Sequence, residues 1–156
     1  MIERLTRKPL RLLVGGFQKL RRIVWRVRRP VTFGVHAVAL TRDRSLILVK
    51  LRYARGWRLP GGGRRETEDP QEAIIRELRE EIGLIRYGSI RLAAELMDEP
   101  DFKRDTASLF VVSDVEYRPR WSLEIEEVTE AGLDKLPDDT AALTRRWISL
   151  LQDRID

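Results

Sequence analysis

The chain has no cysteine and only one histidine, His36. Without thiols it cannot form disulfides, thiolate zinc sites or iron–sulfur clusters, and it has no cysteine nucleophile. A single histidine argues against a histidine-rich metal site and against a Ser–His–Asp triad, so we expect His36 to be structural. Any catalysis must therefore depend on carboxylates, arginine, lysine, tyrosine or a metal that prefers oxygen ligands. The lack of cysteine leads us to expect a cytoplasmic location.

Long apolar runs are also missing. The longest run in the first thirty residues, at 12–17, is too short for a signal peptide core or a membrane span. A length of 156 residues with 42% hydrophobic and 35% charged residues is typical of one globular domain.

Charge is distributed unevenly along the chain. Of its 30 basic and 25 acidic residues, ten basic and one acidic lie in residues 1–30. This basic segment carries a charge of +9, and residues 31–156 carry −4. The sequence thus predicts two parts, a basic N-terminal segment over 1–30 and a domain over 31–156.

The basic segment has the pattern of an amphipathic helix, with apolar residues from Leu10 to Val27 recurring about every 3.6 positions. Three interpretations stay open. The helix packs on its own domain or on a second subunit of a homodimer, lies on an anionic membrane surface, or contacts the phosphates of RNA.

The rest of the chain alternates between strand and helix patterns. Strands are predicted over 31–40 and 45–51 as a hairpin or meander, and then near 89–96, 106–114 and 123–130. Residues 54–68 are rich in glycine and predict a loop, and helices are predicted over 70–82 and 139–152. This mixture predicts a sheet covered by helices, an α+β fold.

The helix over 70–82 has clear signals at both ends. Asp69 is placed to cap it, Pro70 suits its first position, and Glu72 completes a capping box. Gly83 supplies the left-handed residue that ends it.

One face of this helix carries three carboxylates, Glu77, Glu80 and Glu81. Carboxylates at this spacing repel one another unless solvent screens them or a divalent cation binds among them. Oxygen ligands would select Mg²⁺ or Mn²⁺. The glycines at 61–63 would let the backbone approach a phosphate closely, which favours the metal interpretation.

These residues together resemble the Nudix box of the Nudix hydrolase family. All nine defining positions agree, and they are Gly62, Glu68, Arg76, Glu77, Leu78, Glu80, Glu81, Gly83 and Leu84. The lead-in at 57–62, Trp-Arg-Leu-Pro-Gly-Gly, is also similar to that of the family.

The resemblance implies an α/β/α sandwich around a mixed β-sheet over 31–156. It also implies hydrolysis of the pyrophosphate bond in a nucleoside diphosphate linked to another group, with Mg²⁺ or Mn²⁺ as cofactor. The metal ligands implied are Glu77, Glu80, Glu81, Glu68 and the carbonyl of Gly61 or Gly62. Arg76 would orient a carboxylate of the box.

The general base is less well defined by the sequence. A carboxylate must accept a proton from the attacking water. Glu77 and Glu80 are candidates, and some family members use a glutamate after the box. We therefore add Glu127 from the late strand, with Glu124, Glu126 and Asp105 as alternatives.

The substrate is predicted from scattered aromatic and basic residues. Tyr53, Trp57 and Phe102 are candidates to stack on a base, and Arg52 and Arg104 to bind phosphate or ribose. Pro100, sixteen residues after Leu84, is placed as in relatives that hydrolyse ADP-ribose, which favours ADP-ribose or a nucleotide sugar. The alternatives are a nucleoside triphosphate, the 5′ end of RNA, or a module that senses nucleotides without turnover.

Overall fold

A computed structural model describes residues 31–98 and 104–155. The strands are β1 (Val31–Ala39), β2 (Leu46–Leu51), β3 (Trp57–Arg58), β4 (Gly61–Arg64), β5 (Leu84–Arg86), β6 (Ser89–Asp98), β7 (Arg104–Ser113), β8 (Glu116–Tyr117) and β9 (Ile125–Ala131). The helices are α1 (Pro70–Glu81) and α2 (Ala142–Ile155). The helix predicted within the basic segment lies outside the described residues.

The strands form a mixed arrangement. A four-stranded sheet has the order β4-β1-β7-β6, in which β1 is parallel to β7 and the other pairs are antiparallel. An antiparallel sheet has the order β3-β2-β9, and β5 pairs with β8. The predicted mixed sheet of an α+β fold is confirmed.

The predicted hairpin of 31–51 is wrong. Only one bridge, between Leu40 and Leu46, joins the two strands before they enter different sheets. Both strands are buried on both faces over much of their length, as is usual for strands inside a sheet that is covered on both faces. The partners of β1 are β4 and β7, and those of β2 are β3 and β9.

Two core clusters lie on opposite faces of β1, because successive side chains of a strand point in opposite directions. The cluster on the α1 side includes Val35, Ala37, Ile74, Leu78 and Ile82. The cluster on the α2 side includes Val38, Leu40, Leu109, Ile148 and Leu151. The sheets therefore lie between the two helices, which confirms the predicted α/β/α sandwich.

The longer elements agree with the sequence pattern to within a few residues. The short strands β3, β5 and β8 were not predicted, because two or three residues carry no detectable period. Neither described helix has the length and apolar character needed to cross a membrane.

Candidate active site

Helix α1 begins and ends where its sequence predicts. The Asp69 carboxylate accepts hydrogen bonds from the backbone N–H groups of Gln71, at 2.9 Å, and Glu72, at 3.0 Å. These bonds satisfy two donors that the first turn leaves unpaired. At the other end Gly83 has φ +70°, and its carbonyl accepts a hydrogen bond from Arg118 N at 3.0 Å. The helix that carries the glutamates is thus fixed at both ends.

The glycines at 61–63 form strand β4, so the loop predicted there is wrong at these residues. Glycine weakens an isolated strand, but β1 supplies the pairing, with Val35 opposite Gly62 and His36 opposite Gly61. Gly61 has φ +150°, and a Cβ there would lie 2.1 Å from the Val35 carbonyl oxygen. A Cβ on Gly62 would lie 2.6 Å from the carboxylate of Glu77. The missing Cβ of Gly61 therefore leaves room for β1, and that of Gly62 lets Glu77 of α1 approach the strand.

Glu81 is the most buried of the three glutamates, with 7% of its surface exposed. Its Oε2 accepts a hydrogen bond from Gly61 N at 2.7 Å. Burial raises the pKa of its carboxyl to about 8, although the Gly61 N–H acts in the opposite direction. A cation bound nearby would favour the ionised form of this group.

Glu77 lies next to Gly62 and accepts a hydrogen bond of 2.6 Å from Arg76 Nη1. Burial raises its pKa, and the Arg76 guanidinium partly offsets that effect. Glu80 is 61% exposed, and its Oε2 lies 3.6 Å from Arg76 Nη1. Glu81 and Glu77 are thus held by short hydrogen bonds, whereas Glu80 is the most exposed of the three carboxylates.

Arg76 joins the helix to the residues before it. Its Nε donates to Glu68 Oε1 at 3.1 Å and its Nη2 to the Gly63 carbonyl at 3.1 Å. The hydrogen bond from Arg76 lowers the pKa of Glu68, and the Arg65 backbone N–H adds to this. A planar guanidinium can hold several acceptors in fixed directions, which lysine cannot. This geometry is compatible with the orienting role predicted for Arg76.

The donor set suits a hard divalent cation, because every candidate ligand is a carboxylate or carbonyl oxygen. The side chains are not yet arranged to coordinate a metal ion. Within the described ranges, no three acidic or histidine residues lie close enough together to do so. Glu81 is turned toward Gly61 and Glu77 toward Arg76. The residue types thus fit a Mg²⁺ or Mn²⁺ site, and binding would require some of these side chains to rotate.

The three acidic residues at the start of β9 and just before it, Glu124, Glu126 and Glu127, have different surroundings. The charge of Glu124 adds to the effect of burial in raising the pKa of both Glu77 and Glu81. Glu126 lines a cleft together with Arg52 and Tyr53, and Glu127 is exposed and lies opposite Lys50 in the β2–β9 register. Of the three, Glu124 is the one whose field reaches the glutamates of α1. Glu124 precedes β9, so alternation along that strand does not identify it.

A cleft of about 670 Å³ opens at the end of β2. It is lined by Lys50, Leu51, Arg52, Tyr53, Ala54, Arg55, Gly56, Glu126, Asp139 and Ala141. Of the residues predicted to bind substrate, Arg52 and Tyr53 therefore face a cleft. The backbone N–H of Arg52 donates to the carbonyl of Glu124 at 2.8 Å, which joins the cleft lining to the segment that contains Glu124.

The other predicted substrate residues are placed differently. Trp57 is only 8% exposed and belongs to the core on the α2 side, with Lys50 Nζ 5.2 Å from its ring centroid. Its position offers little ring surface to a ligand, because core packing covers it. Arg104 and Asp105 begin β7, and Phe102 and Pro100 lie outside the described residues.

Two cleft residues escaped the sequence analysis. Lys50 Nζ lies 3.3 Å from Asp139 Oδ2, although the two are 89 positions apart. No local pattern connects residues at such a separation. The one local signal is that Lys50 is a charged residue near the end of β2, an otherwise apolar strand.

A NUDIX domain model matches residues 30–152 of the chain. In the structure, the helix that carries the box glutamates packs on a glycine strand within an α/β/α sandwich. The chain belongs to the Nudix family.

Curated relatives match parts of the chain. An RNA pyrophosphohydrolase of Hydrogenovibrio crunogenus is 42% identical over 50 residues, which are 32% of this chain and 30% of the relative. An 8-oxo-dGTP diphosphatase of Proteus vulgaris is 35% identical over 71 residues, or 46% and 57% of the two chains. The matched part thus spans less than two thirds of either relative.

Solved structures match over most of the fold. A MutT NUDIX hydrolase from Burkholderia pseudomallei has a TM-score of 0.65 at 25% identity, covering 76% of this chain and 96% of that chain. A bifunctional NMN adenylyltransferase/ADP ribose pyrophosphatase from Francisella tularensis, complexed with AMP and a Mn ion, has a TM-score of 0.69 at 18% identity. The match covers 48% of that chain and 93% of this chain. At that identity the second likeness concerns the fold alone.

Proposed function

We propose that this chain is a hydrolase that uses Mg²⁺ or Mn²⁺ to cleave the pyrophosphate bond of a nucleoside diphosphate linked to another group. One observation carries the proposal. The fold packs Glu77 against Gly62, bonds Glu81 to Gly61, and links Glu68 to the same helix through Arg76. Membership of the Nudix family and relatives named as a pyrophosphohydrolase and a diphosphatase support it.

In this proposal Glu77, Glu80 and Glu81 hold the cations, and Glu68 and the Gly62 carbonyl support them. Bound cations would neutralise the pyrophosphate and make a water molecule more acidic. Arg76 bonds to both Glu68 and Glu77, so it would orient these carboxylates as the cations bind. The carboxylates alone would repel the substrate, and the activity should therefore depend entirely on added metal.

The proton acceptor is proposed among the carboxylates that reach this region. Glu77 accepts a short hydrogen bond from Arg76, whereas Glu80 is exposed and lies 3.6 Å from the same guanidinium. Among the late residues the structure favours Glu124 over Glu127, because only Glu124 acts on the pKa of Glu77 and Glu81. Comparing Glu124→Gln with Glu127→Gln decides this point, since loss of the base lowers kcat by about 10²- to 10⁴-fold.

The nucleoside is proposed to bind in the cleft. Tyr53 offers an aromatic ring and Arg52 offers a cation, and the backbone N–H of Arg52 bonds to the carbonyl of Glu124. The volume of about 670 Å³ is within the range of small-molecule sites. The preference for ADP-ribose or a nucleotide sugar rests on Pro100, outside the described residues, and stays a prediction. A second candidate, removal of pyrophosphate from the 5′ end of RNA, is favoured by the match to the RNA pyrophosphohydrolase.

Hydrolysis of a substrate panel tests the proposal. The panel contains ADP-ribose, nucleotide sugars, dinucleoside polyphosphates, canonical and oxidised nucleoside triphosphates, and RNA with a 5′-triphosphate, each with Mg²⁺ and with Mn²⁺. We expect metal-dependent product release by the parent protein, lowered at least 100-fold in Glu80→Gln. Glu72→Gln, an exposed glutamate in the first turn of the same helix, is the matched control and should retain activity.

Two results would argue against this function. Equal turnover with and without EDTA would exclude the role given to the cations. No turnover on any substrate, from protein that binds Mn²⁺ and nucleotide, would favour a nucleotide sensor instead. The roles predicted for the basic segment, in a homodimer, on a membrane or on RNA, lie outside the described residues and stay predictions.

A further inference from the structure

The segment between β8 and β9 exposes an unusual group of side chains. Trp121 is 78% exposed and Leu123 is 59% exposed, and Arg118 and Arg120 are also exposed. We call residues 118–124 the rim loop. Isolated apolar residues on a surface are common, but an exposed tryptophan flanked by arginines is a combination found where proteins hold nucleic acid bases and phosphates.

Hydrogen bonds fix the rim loop along its length. Arg118 N donates to the Gly83 carbonyl at 3.0 Å, and the Ser122 carbonyl accepts a bond of 3.1 Å from Arg52 Nε. Ser122 Oγ accepts from the N–H groups of Glu124 and Ile125, both at 3.1 Å. The loop therefore holds Trp121 outward from an anchored backbone.

The same bonds place the rim loop beside the candidate active site. Gly83 directly follows the helix end that carries Glu80 and Glu81, and Arg52 lines the cleft. The loop thus runs from the end of α1 to the edge of the cleft.

We propose that the rim loop binds a second nucleobase of the substrate, on the far side of the scissile pyrophosphate from the nucleoside in the cleft. Trp121 stacks on this base, and Arg118 and Arg120 contact the phosphates that join it to the rest of the substrate. This inference rests on the proposed function and specifies the linked group. It differs from the preference for ADP-ribose, because the linked group of ADP-ribose is a sugar phosphate without a base.

Dinucleoside polyphosphates have this chemistry, because they carry a nucleoside at each end of the phosphate chain, and we call them two-base substrates. In an oligonucleotide with a 5′-triphosphate, by contrast, every base lies on the same side of the scissile bond. The experiment therefore uses diadenosine tetraphosphate as the two-base substrate, with a 5′-triphosphorylated tetranucleotide and ADP-ribose as substrates that lack a base on the far side.

The first test is steady-state kinetics of the full chain with Trp121→Ala, Trp121→Phe and the control Leu150→Ala. Leu150 is 53% exposed on α2 and belongs to no proposed site. Loss of base stacking should raise KM for two-base substrates about tenfold in Trp121→Ala. The kcat values and the KM for ADP-ribose should change less than about twofold, Trp121→Phe should restore most of the affinity, and Leu150→Ala should match the parent.

The second test measures binding and does not depend on turnover. In the Glu80→Gln background, with Mg²⁺, the two-base ligands should quench tryptophan fluorescence, and Trp121→Phe should remove that part of the quenching. This result would support the rim loop even if no substrate were hydrolysed, so it separates this inference from the proposed function. Equal affinity of Trp121→Ala and the parent for all ligands would overturn it.

Sedimentation of the same variants tests a competing role for the loop. If Trp121→Ala converts a dimer to a monomer and raises KM for every substrate alike, the rim loop is a subunit contact and the inference is wrong. An unchanged oligomeric state with the selective KM effect supports it. The arginines are tested by the double variant Arg118→Gln with Arg120→Gln. This variant should have a higher KM for two-base substrates than the parent, and its KM should depend less on salt concentration.

Discussion

At the scale of single residues, Gly62 and Gly63 are adjacent glycines in β4 with different surroundings. A Cβ on Gly62 would lie 2.6 Å from the Glu77 carboxylate, whereas a Cβ on Gly63 would find its nearest neighbour, the Phe33 carbonyl oxygen, at 4.0 Å. Neither glycine has a positive φ, so the difference between them is one of space alone.

We therefore expect Gly62→Ala to displace the Glu77 carboxylate and to lower kcat/KM at least tenfold, since ligand orientation commonly changes metal affinity or activity by about 10- to 100-fold. Gly63→Ala should stay within about twofold of the parent. Kinetics with Mn²⁺ titration checks both. Similar losses in the two variants would show that the close approach at Gly62 has no special role.

His36, opposite Gly61 in the β1–β4 pairing, provides a test of how stability depends on pH. It lies in β1 with its ring centroid 4.7 Å from that of Trp147. Burial lowers its pKa from 6.5 to about 4, and the positive charge of Arg58 adds to this. Between pH 6.5 and 4 the unfolded chain binds a proton that the folded protein does not, so the free energy of unfolding falls as pH falls.

For His36 this loss should reach at most about 3 kcal/mol by pH 4, from a shift of about 2.5 units. Urea unfolding of the parent and of His36→Gln, at pH 7, 6, 5 and 4, measures it. The parent should lose more stability than the variant over this window. Parallel curves would mean that protonation of His36 does not oppose folding.

At the scale of elements, the helix that carries the glutamates depends on its N-cap. Asp69→Ala removes the acceptor of two backbone N–H groups and should destabilise the protein by about 1 kcal/mol. For a domain of this size that corresponds to a fall in Tm of about 2–4 °C. Asp69→Asn should retain most of the stability, and calorimetry compares the two. An equal fall in both variants would assign the effect to lost charge.

The elements also show where the sequence pattern was insufficient. The apolar period and end signals of α1 depend on residues within one helix, and they predicted its limits closely. Strand β4 has no such pattern, because its stability comes from pairing with β1 and from the space its glycines leave for α1. Likewise, the apolar patterns of β1 and β2 do not reveal that the two strands belong to different sheets, because pairing with distant strands decides this.

At the scale of the whole molecule, metal binding should be coupled to folding. The fold buries most of Glu81 and much of Glu77 beside each other, and burial raises the pKa of both carboxyls. A cation that binds only the folded state adds about 2.7 kcal/mol at a concentration of 100 times its Kd. We expect saturating Mn²⁺ to raise Tm by about 5–10 °C.

Thermal unfolding with a Mn²⁺ titration measures this increase, and EDTA should reverse it. Glu80→Gln should reduce the increase, and Glu72→Gln should leave it unchanged. The same rise in Tm for all three proteins would place the bound metal elsewhere on the chain.

The sequence by itself determined the family, the helix α1 and the identity of the box residues, because these depend on residue types at fixed short spacings. It also determined that the candidate ligands are oxygen atoms, since cysteine is absent and histidine occurs once. Only the tertiary structure decided that Gly62 faces Glu77, that Glu124 acts on the helix glutamates, and that Lys50 meets Asp139. It likewise decided that Trp57 is covered and Trp121 is exposed. Such relations depend on how distant segments pack and pair, and the local sequence carries no period or spacing that records them.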